Sequence, residues 1–420
     1  MTNFELSFQF FIQVAFILGV CKIVGAIARR FGQPAVVAEM IAGVLMGPSL
    51  FSWLSPGIHE QVFPKASLPI LYVVSQLGLV LYMFLVGLEF QGQAKQRIRS
   101  AASVSLAGIF VPFALGALLS LYLVQEGGFF TGRVKTWQAA LFAGVAMAVT
   151  AFPVLARIIH DCGMTATALG TLVLAAGAAD DVAAWCILAI VLASFGGNPA
   201  LAVLAIGCGA IYTVLTLTAG RRLLISLDRK VDQEGTVTNS TLTVVLMLLM
   251  ICAWTTDVIG IHAVFGAFIL GVAFPRGLLT EELRRLLEPI TKSFLAPLFF
   301  VYSGLNTSIG LVSSWYLWGI ALLVLLCACL GKGVACYLAA RLNGENRHDA
   351  LAIGGLMNAR GLMELIILNI GLEKGIITPR LFTIMVLMTI FTTLLATPFF
   401  NLVYSRTTQV PGPLAAEAAG

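Results

Sequence analysis

The sequence predicts an all-helical polytopic membrane protein with thirteen transmembrane helices, and three observations lead to that class. Of the 420 residues, 59% are hydrophobic and only 11% are charged, whereas soluble domains carry about a quarter charged residues. Apolar stretches of the roughly 20 residues that a membrane helix needs follow one another from Phe8 to Val403, separated by short polar connectors. The Lys and Arg residues gather on alternate connectors, as they must when the helices have been counted correctly.

Segment 1, about 6 to 28, has no Lys or Arg ahead of it and no small-residue cleavage site after it, so it is expected to stay as a helix rather than be removed as a signal peptide. Segment 2 (34 to 52) carries Glu39 and segment 3 (67 to 90) ends near Glu89, acids placed to reach an interface or cap a neighbour. Segment 4 spans 100 to 124. Segment 5 (137 to 159) is interrupted by Thr150-Ala151-Phe152-Pro153, and segment 6 (164 to 195) holds Asp180 and Asp181 halfway along. Segment 7 (198 to 222) is the linker. Asp257 lies between segments 8 (239 to 256) and 9 (259 to 275), and His262 in its apolar run reads as a hydrogen-bonded packing residue. Segment 10 runs from 289 to 306 and segment 11 (315 to 341) contains Lys332. Segment 12 (348 to 372) is interrupted by Asn358-Ala359-Arg360-Gly361 and carries Glu364, and segment 13 covers 379 to 404.

With the N-terminus outside and the C-terminus in the cytoplasm, seventeen basic residues fall on the inner side, five on the outer side and three (Lys22, Lys332, Arg360) within segments. An odd count permits six helices, one linker and six more entering in the opposite sense. Segments 1 to 6 and 8 to 13 would then form two inverted six-helix repeats, a recurrent plan of secondary transporters that places substrate at the midplane. The two interrupted segments stand fifth in their halves.

Composition excludes other classes. The net charge of +5 sits in short connectors, where topology explains it, so nucleic acid is not a partner. Eight cysteines without a CxxC pair indicate neither zinc nor a disulfide framework. Walker A, GxSxG and HExxH patterns are all missing, so no enzyme activity and no cofactor is expected and the energy source is a gradient. Some seventeen residues rich in Ala, Gly and Pro follow Val403, too few for a regulatory domain. Regulation is expected inside the membrane unit or from a partner.

Charges in mid-segment carry the functional signal, because each costs about 2.5 to 3.5 kcal/mol at the centre of a membrane helix. Unpaired, Asp180, Asp181, Lys332, Arg360 and Glu364 would together cost roughly 12 to 18 kcal/mol. They must pair, or meet water or an ion. Their sum is one net negative charge, which a bound cation or proton would neutralise. Adjacent helical residues point about 100° apart, so one aspartate can face the pathway while the other pairs with a basic neighbour, for which Lys332 is the candidate. Arg360 and Glu364, four apart, read as a self-neutralising pair. Pro153 has no N–H for the Val149 carbonyl and Gly361 weakens segment 12, so freed carbonyls and the Thr150 hydroxyl become oxygen ligands for a hard monovalent cation.

These residues resemble the monovalent cation:proton antiporter-2 family, which includes NapA-like and Kef-like bacterial transporters and plant cation/H⁺ exchangers. The likeness spans the membrane unit. It is carried by Gln33-Pro34-Ala35-Val36-Val37-Ala38-Glu39 with Ala42-Gly43 and Gly47-Pro48-Ser49-Leu50, by Phe84-Leu85-Val86-Gly87-Leu88-Glu89, by Ala179-Asp180-Asp181-Val182-Ala183-Ala184-Trp185, and by Asn358-Ala359-Arg360-Gly361-Leu362-Met363-Glu364-Leu365. The resemblance implies an NhaA/NapA-like antiporter fold of two crossed, broken helices, a homodimer and elevator-like alternating access. In residues 1–404 it implies scaffold helices at about 6–90 and 239–306, core helices at about 100–195 and 315–404, and a linker at 198–222, with 405–420 as a cytoplasmic tail. By the same likeness, Asp181 is the essential cation- and proton-binding residue, Asp180 its partner, Thr150 part of the broken helix, and Lys332 the lysine that pairs with Asp180. The Arg-Gly-Glu run of Kef-like members is replaced here by the plant-like Arg360-Gly361-Leu362-Met363-Glu364, and gating by a Kef-type nucleotide-binding domain is not expected. The expected substrates are Na⁺ or K⁺ and H⁺ across a lipid bilayer, the cell inner membrane. The rival reading is a sodium-coupled symporter of an organic anion, which would need an anion-binding group beside the cation site.

Overall fold

The computed structural model describes residues 2–33, 35–89, 98–152, 155, 158–159, 164, 167–195, 199–260 and 262–404. The predicted break residue Pro153 and the tail 405–420 lie outside the described residues, as does the side chain of Asp181.

The chain is helical nearly throughout. In order come α1 (Asn3–Arg30), α2 (Ala35–Met46), the short α3 (Phe51–Leu54) and α4 (Pro56–Val62), α5 (Leu68–Glu89), α6 (Ile98–Glu126), α7 (Thr136–Ala148), α8 (Ala168–Phe195) and α9 (Pro199–Leu215). There follow α10 (Arg221–Glu234), α11 (Asn239–Ile259), α12 (Ala263–Ala273), α13 (Leu278–Ile290), α14 (Ala296–Leu305), α15 (Trp315–Leu342), α16 (Arg347–Met357), α17 (Leu362–Glu373) and α18 (Pro379–Tyr404). Among the described residues nine helices are long and apolar enough to cross a membrane, with shorter apolar helices at 136–148, 168–177 and 263–273. The chain is therefore a polytopic all-helical membrane protein, as its hydropathy predicts.

Two connectors differ from the sequence expectation. Segment 7 does not end in a loop: α9 passes through a π-turn at Thr216–Gly220 directly into α10. On α10 Leu224, Asp228 and Val231 turn inward while Arg222, Arg229 and Lys230 stay exposed. Segment 10 likewise begins earlier, with α13 leading through a π-turn at Thr291–Leu295 into α14. Pro289, which has no N–H to donate, sits just before that turn. Asp228 joins the two added pieces, accepting the Leu279 N–H at 3.2 Å at the start of α13.

The buried side chains form three clusters. One, around Ile17, Leu71 and Leu298, joins α1, α2, α5 and α14, and a second, around Phe84, Leu249 and Leu283, joins α5 and α10 to α13. The largest runs through α6, α7, α8 and α15 to α18. Where α5 crosses α12, a Cβ on Gly87 would stand 2.3 Å from the Phe268 carbonyl oxygen and one on Gly271 2.3 Å from that of Phe84. The two backbones touch, the small-residue contact on which membrane helices rely.

Both interrupted segments are broken in the structure. The α7 helix stops at Ala148, with Val149 extended (φ −69°, ψ 140°), and α16 stops at Met357, with four residues between it and the start of α17 at Leu362. The interruptions meet: the Ala151 N–H donates to the Ala359 carbonyl at 3.0 Å.

Candidate ion-binding site

Four ionisable side chains converge beside that meeting point, each from a different stretch of chain. Asp180 comes from the middle of α8, Lys332 from α15, Arg360 from the break before α17, and Glu364 from the first turn of α17. Asp180 is 1% exposed, and Lys332, Arg360, Glu364 and Thr150 are wholly buried. Charges this deep must be paired and hydrogen-bonded to be tolerated.

Each has an ion-pair partner, though among the described residues neither Glu364 oxygen is hydrogen-bonded. Lys332 Nζ lies 3.1 Å from Asp180 Oδ2 and also donates to the Ala148 carbonyl. The Thr150 hydroxyl donates to the same Oδ2 at 2.6 Å, and the Ser105 hydroxyl of α6 donates to Oδ1 at 2.6 Å. Arg360 Nη1 lies 3.5 Å from Glu364 Oε1. Its other contacts lead across the break, with Nη1 donating to the Ala146 carbonyl at 3.2 Å and Nη2 to the Met147 carbonyl at 2.7 Å.

The consequence is a capped half-helix. The last carbonyls of a helix have no internal partner and form the negative end of its dipole. Here Ala146, Met147 and Ala148 at the end of α7 each receive a donor from Arg360 or Lys332. The irregular chain on the other side is held by Thr393 of α18, whose hydroxyl accepts from the Arg360 N–H at 3.1 Å and lies 2.7 Å from the Arg360 carbonyl. Gly361 is buried at φ 158°, ψ −117°, a conformation that a residue with a Cβ rarely adopts.

The structure thus brings together Asp180, Thr150, Lys332, Arg360 and Glu364. Asp181 follows Asp180 in α8, with its side chain outside the described residues. Charge alone does not reveal Ser105, Thr393 or the capping role of Arg360. The acids at the ends of segments stand apart from the site. Glu89 pairs with Arg284 at 3.0 Å, and His262 Nδ1 accepts the Val264 N–H at 3.4 Å at the start of α12.

Comparison with known proteins follows the same outline. A family model described as the transmembrane sodium/hydrogen exchanger matches residues 15–403. The Na⁺/H⁺ antiporter NhaS4 of Synechocystis is 41% identical over 396 residues, covering 92% of this chain and 95% of that one. Cation/H⁺ antiporter 17 of Arabidopsis thaliana is 37% identical over 94% of this chain, and the K⁺/H⁺ antiporter 1 of Saccharomyces cerevisiae is 32% identical over 94%. The chain spans about half the length of these last two, at 48% and 46%. Among solved structures, the sodium proton antiporter MjNhaP1 of Methanocaldococcus jannaschii superposes with a TM-score of 0.60, covering 93% of this chain and 95% of that one at 16% identity, a likeness of fold. Matched along nearly its whole length by the family model and by these relatives, the chain belongs to the sodium/hydrogen exchanger family of cation:proton antiporters.

Proposed function

We propose that the chain is a secondary active antiporter that exchanges a monovalent cation, Na⁺ or K⁺, for protons at Asp181 and Asp180. The observation that carries this reading is the buried Lys332–Asp180 pair beside the meeting point of two helix breaks. Lys332 neutralises Asp180, Arg360 neutralises Glu364, and the formal charge left over is that of Asp181. A dehydrated cation or a proton cancels it, and the two therefore compete for one site. A bound cation also competes with the Lys332 ammonium for Asp180, with the Thr150 hydroxyl as a further oxygen ligand.

The relatives carry both Na⁺/H⁺ and K⁺/H⁺ names, so both ions are candidates. We read the thirteen apolar segments as thirteen crossings in two inverted six-helix halves, with the N-terminus outside and the C-terminus in the cytoplasm of the inner membrane. The helices at about 6–90 and 239–306 act as a scaffold and homodimer contact, and those at about 100–195 and 315–404 as the moving core.

Proteoliposomes holding a pH-sensitive dye, with an imposed pH gradient and a panel of Na⁺, K⁺ and Li⁺ chlorides, test the reading. Addition of the transported cation is expected to collapse the gradient. A gradient that survives every cation overturns antiport, and Na⁺-driven uptake of a labelled organic anion without proton movement would select the symporter instead.

A further inference from the structure

Asp180 is held from a side that the two broken helices do not supply. Ser105 of α6 is 4% exposed, and its hydroxyl donates to Asp180 Oδ1 while Thr150 and Lys332 address Oδ2. One turn further along α6, Gly108 makes room for the pair. A Cβ there would stand 2.8 Å from Cys336 Sγ, 3.7 Å from Asp180 Oδ2 and 3.8 Å from Lys332 Cε.

Helical hydroxyls in this protein usually turn back on their own helix. Ser120 of α6 bonds the Ala117 carbonyl, and Thr213, Thr243 and Thr255 bond the carbonyl four residues earlier. Ser105 instead reaches 75 residues along the sequence to a carboxylate. We propose that Ser105 is a positioning residue of the exchange site, fixing the Asp180 carboxylate so that Oδ2 is presented to Lys332 and, when the ammonium is displaced, to the cation. The proposal rests on the antiport reading above. A carboxylate anchored at Oδ1 cannot swivel away when Lys332 lets go, so the cation meets an oxygen ligand already in place. Removing that donor frees the carboxylate to turn away from the cation.

The test compares near-isosteric variants, Ser105→Thr and Ser105→Val, in the proteoliposome assay across cation concentration and pH. A hydrogen bond to a charged group is worth about one to two factors of ten in an equilibrium constant, so Ser105→Val is expected to raise the apparent KM for the cation at least about tenfold at fixed pH. Raising the pH by about one unit is expected to recover the affinity, since the competitor is a proton. Ser105→Thr, which keeps the hydroxyl, is expected to stay close to the unaltered protein. Ser105→Ala, which removes the oxygen without adding bulk, is the second variant should valine prevent folding, and the same KM rise is expected of it. Equal KM and pH profiles in the hydroxyl-free and hydroxyl-bearing variants overturn the proposal, even if the melting temperature falls. Absence of cation-dependent proton movement in the unaltered protein overturns the antiport reading and this proposal with it.

Discussion

Both oxygens of Asp180 are committed, Oδ1 to Ser105 and Oδ2 to Thr150 and Lys332, which supports the proposal that its neighbour Asp181, about 100° round the helix, carries the charge that cation and proton share. Asp181→Asn is accordingly expected to abolish cation-dependent proton movement while leaving a monodisperse, folded protein, because one atom change removes both ligand and titrating group. Exchange at the unaltered rate by a well-folded variant would refute the assignment. Lys332 does two things, neutralising Asp180 and capping Ala148. For Lys332→Gln we expect a loss of stability of about 3–5 kcal/mol, the cost of orphaning one partner of a buried pair. Reduced charge movement on solid-supported membranes should accompany it. Unchanged melting and unchanged currents would remove Lys332 from the site. The charged members of the site were legible in the sequence because an ionised group in hydrocarbon is costly enough to need a reason. Ser105 was not, since a lone hydroxyl in a membrane helix ordinarily satisfies itself on the preceding turn and leaves no pattern.

Breaks in helices were legible at the level of elements, through Gly361 and the interruption at Thr150, but their connection was not. The i,i+4 spacing of Arg360 and Glu364 predicts their pairing, which is present at 3.5 Å, but not that Arg360 lies in the break and reaches back to the end of α7. That contact depends on a long-range crossing, which periodicity cannot express. The break also leans on α18: Thr393 bonds both backbone groups of Arg360. Thr393→Val, which keeps shape and removes the oxygen, should therefore cost about 1–3 kcal/mol by leaving buried backbone groups without partners. Thr393→Ser should cost far less, and thermal denaturation in detergent separates the two. Where α5 and α12 touch at Gly87 and Gly271, any side chain meets backbone rather than a movable neighbour. Gly271→Val is expected to destabilise by at least about 1–3 kcal/mol, and an unchanged melting temperature would show that the helices separate freely. Segments 7 and 10 run on beyond their hydropathy bounds for a physical reason. Their extensions α10 and α13 are amphipathic and charged, so hydropathy registers them as connectors.

On the scale of the whole molecule, the orientation in the membrane decides what the capped half-helix does. With the N-terminus outside, α7 enters from the outer face and α16 from the inner face, so both end near the midplane and both direct their carbonyl ends at the same small region. Negative dipole ends converging from two sides favour a cation there. Lys332 and Arg360 donate to three of those carbonyls, so the same carbonyl ends also hold the basic partners of the two buried acids. This convergence requires the proposed topology, which is read from seventeen inner against five outer basic residues. The exposed Arg222, Arg229 and Lys230 of α10 make the sharpest test, because they sit on a helix that the orientation places against the cytoplasmic leaflet. In a background stripped of its native cysteines, Arg229→Cys is expected to resist a membrane-impermeant maleimide in intact cells and to label once the membrane is opened. Arg133→Cys, in the connector after α6, is expected to label in intact cells. The reverse pattern would invert the protein in the membrane and exchange the faces from which α7 and α16 enter.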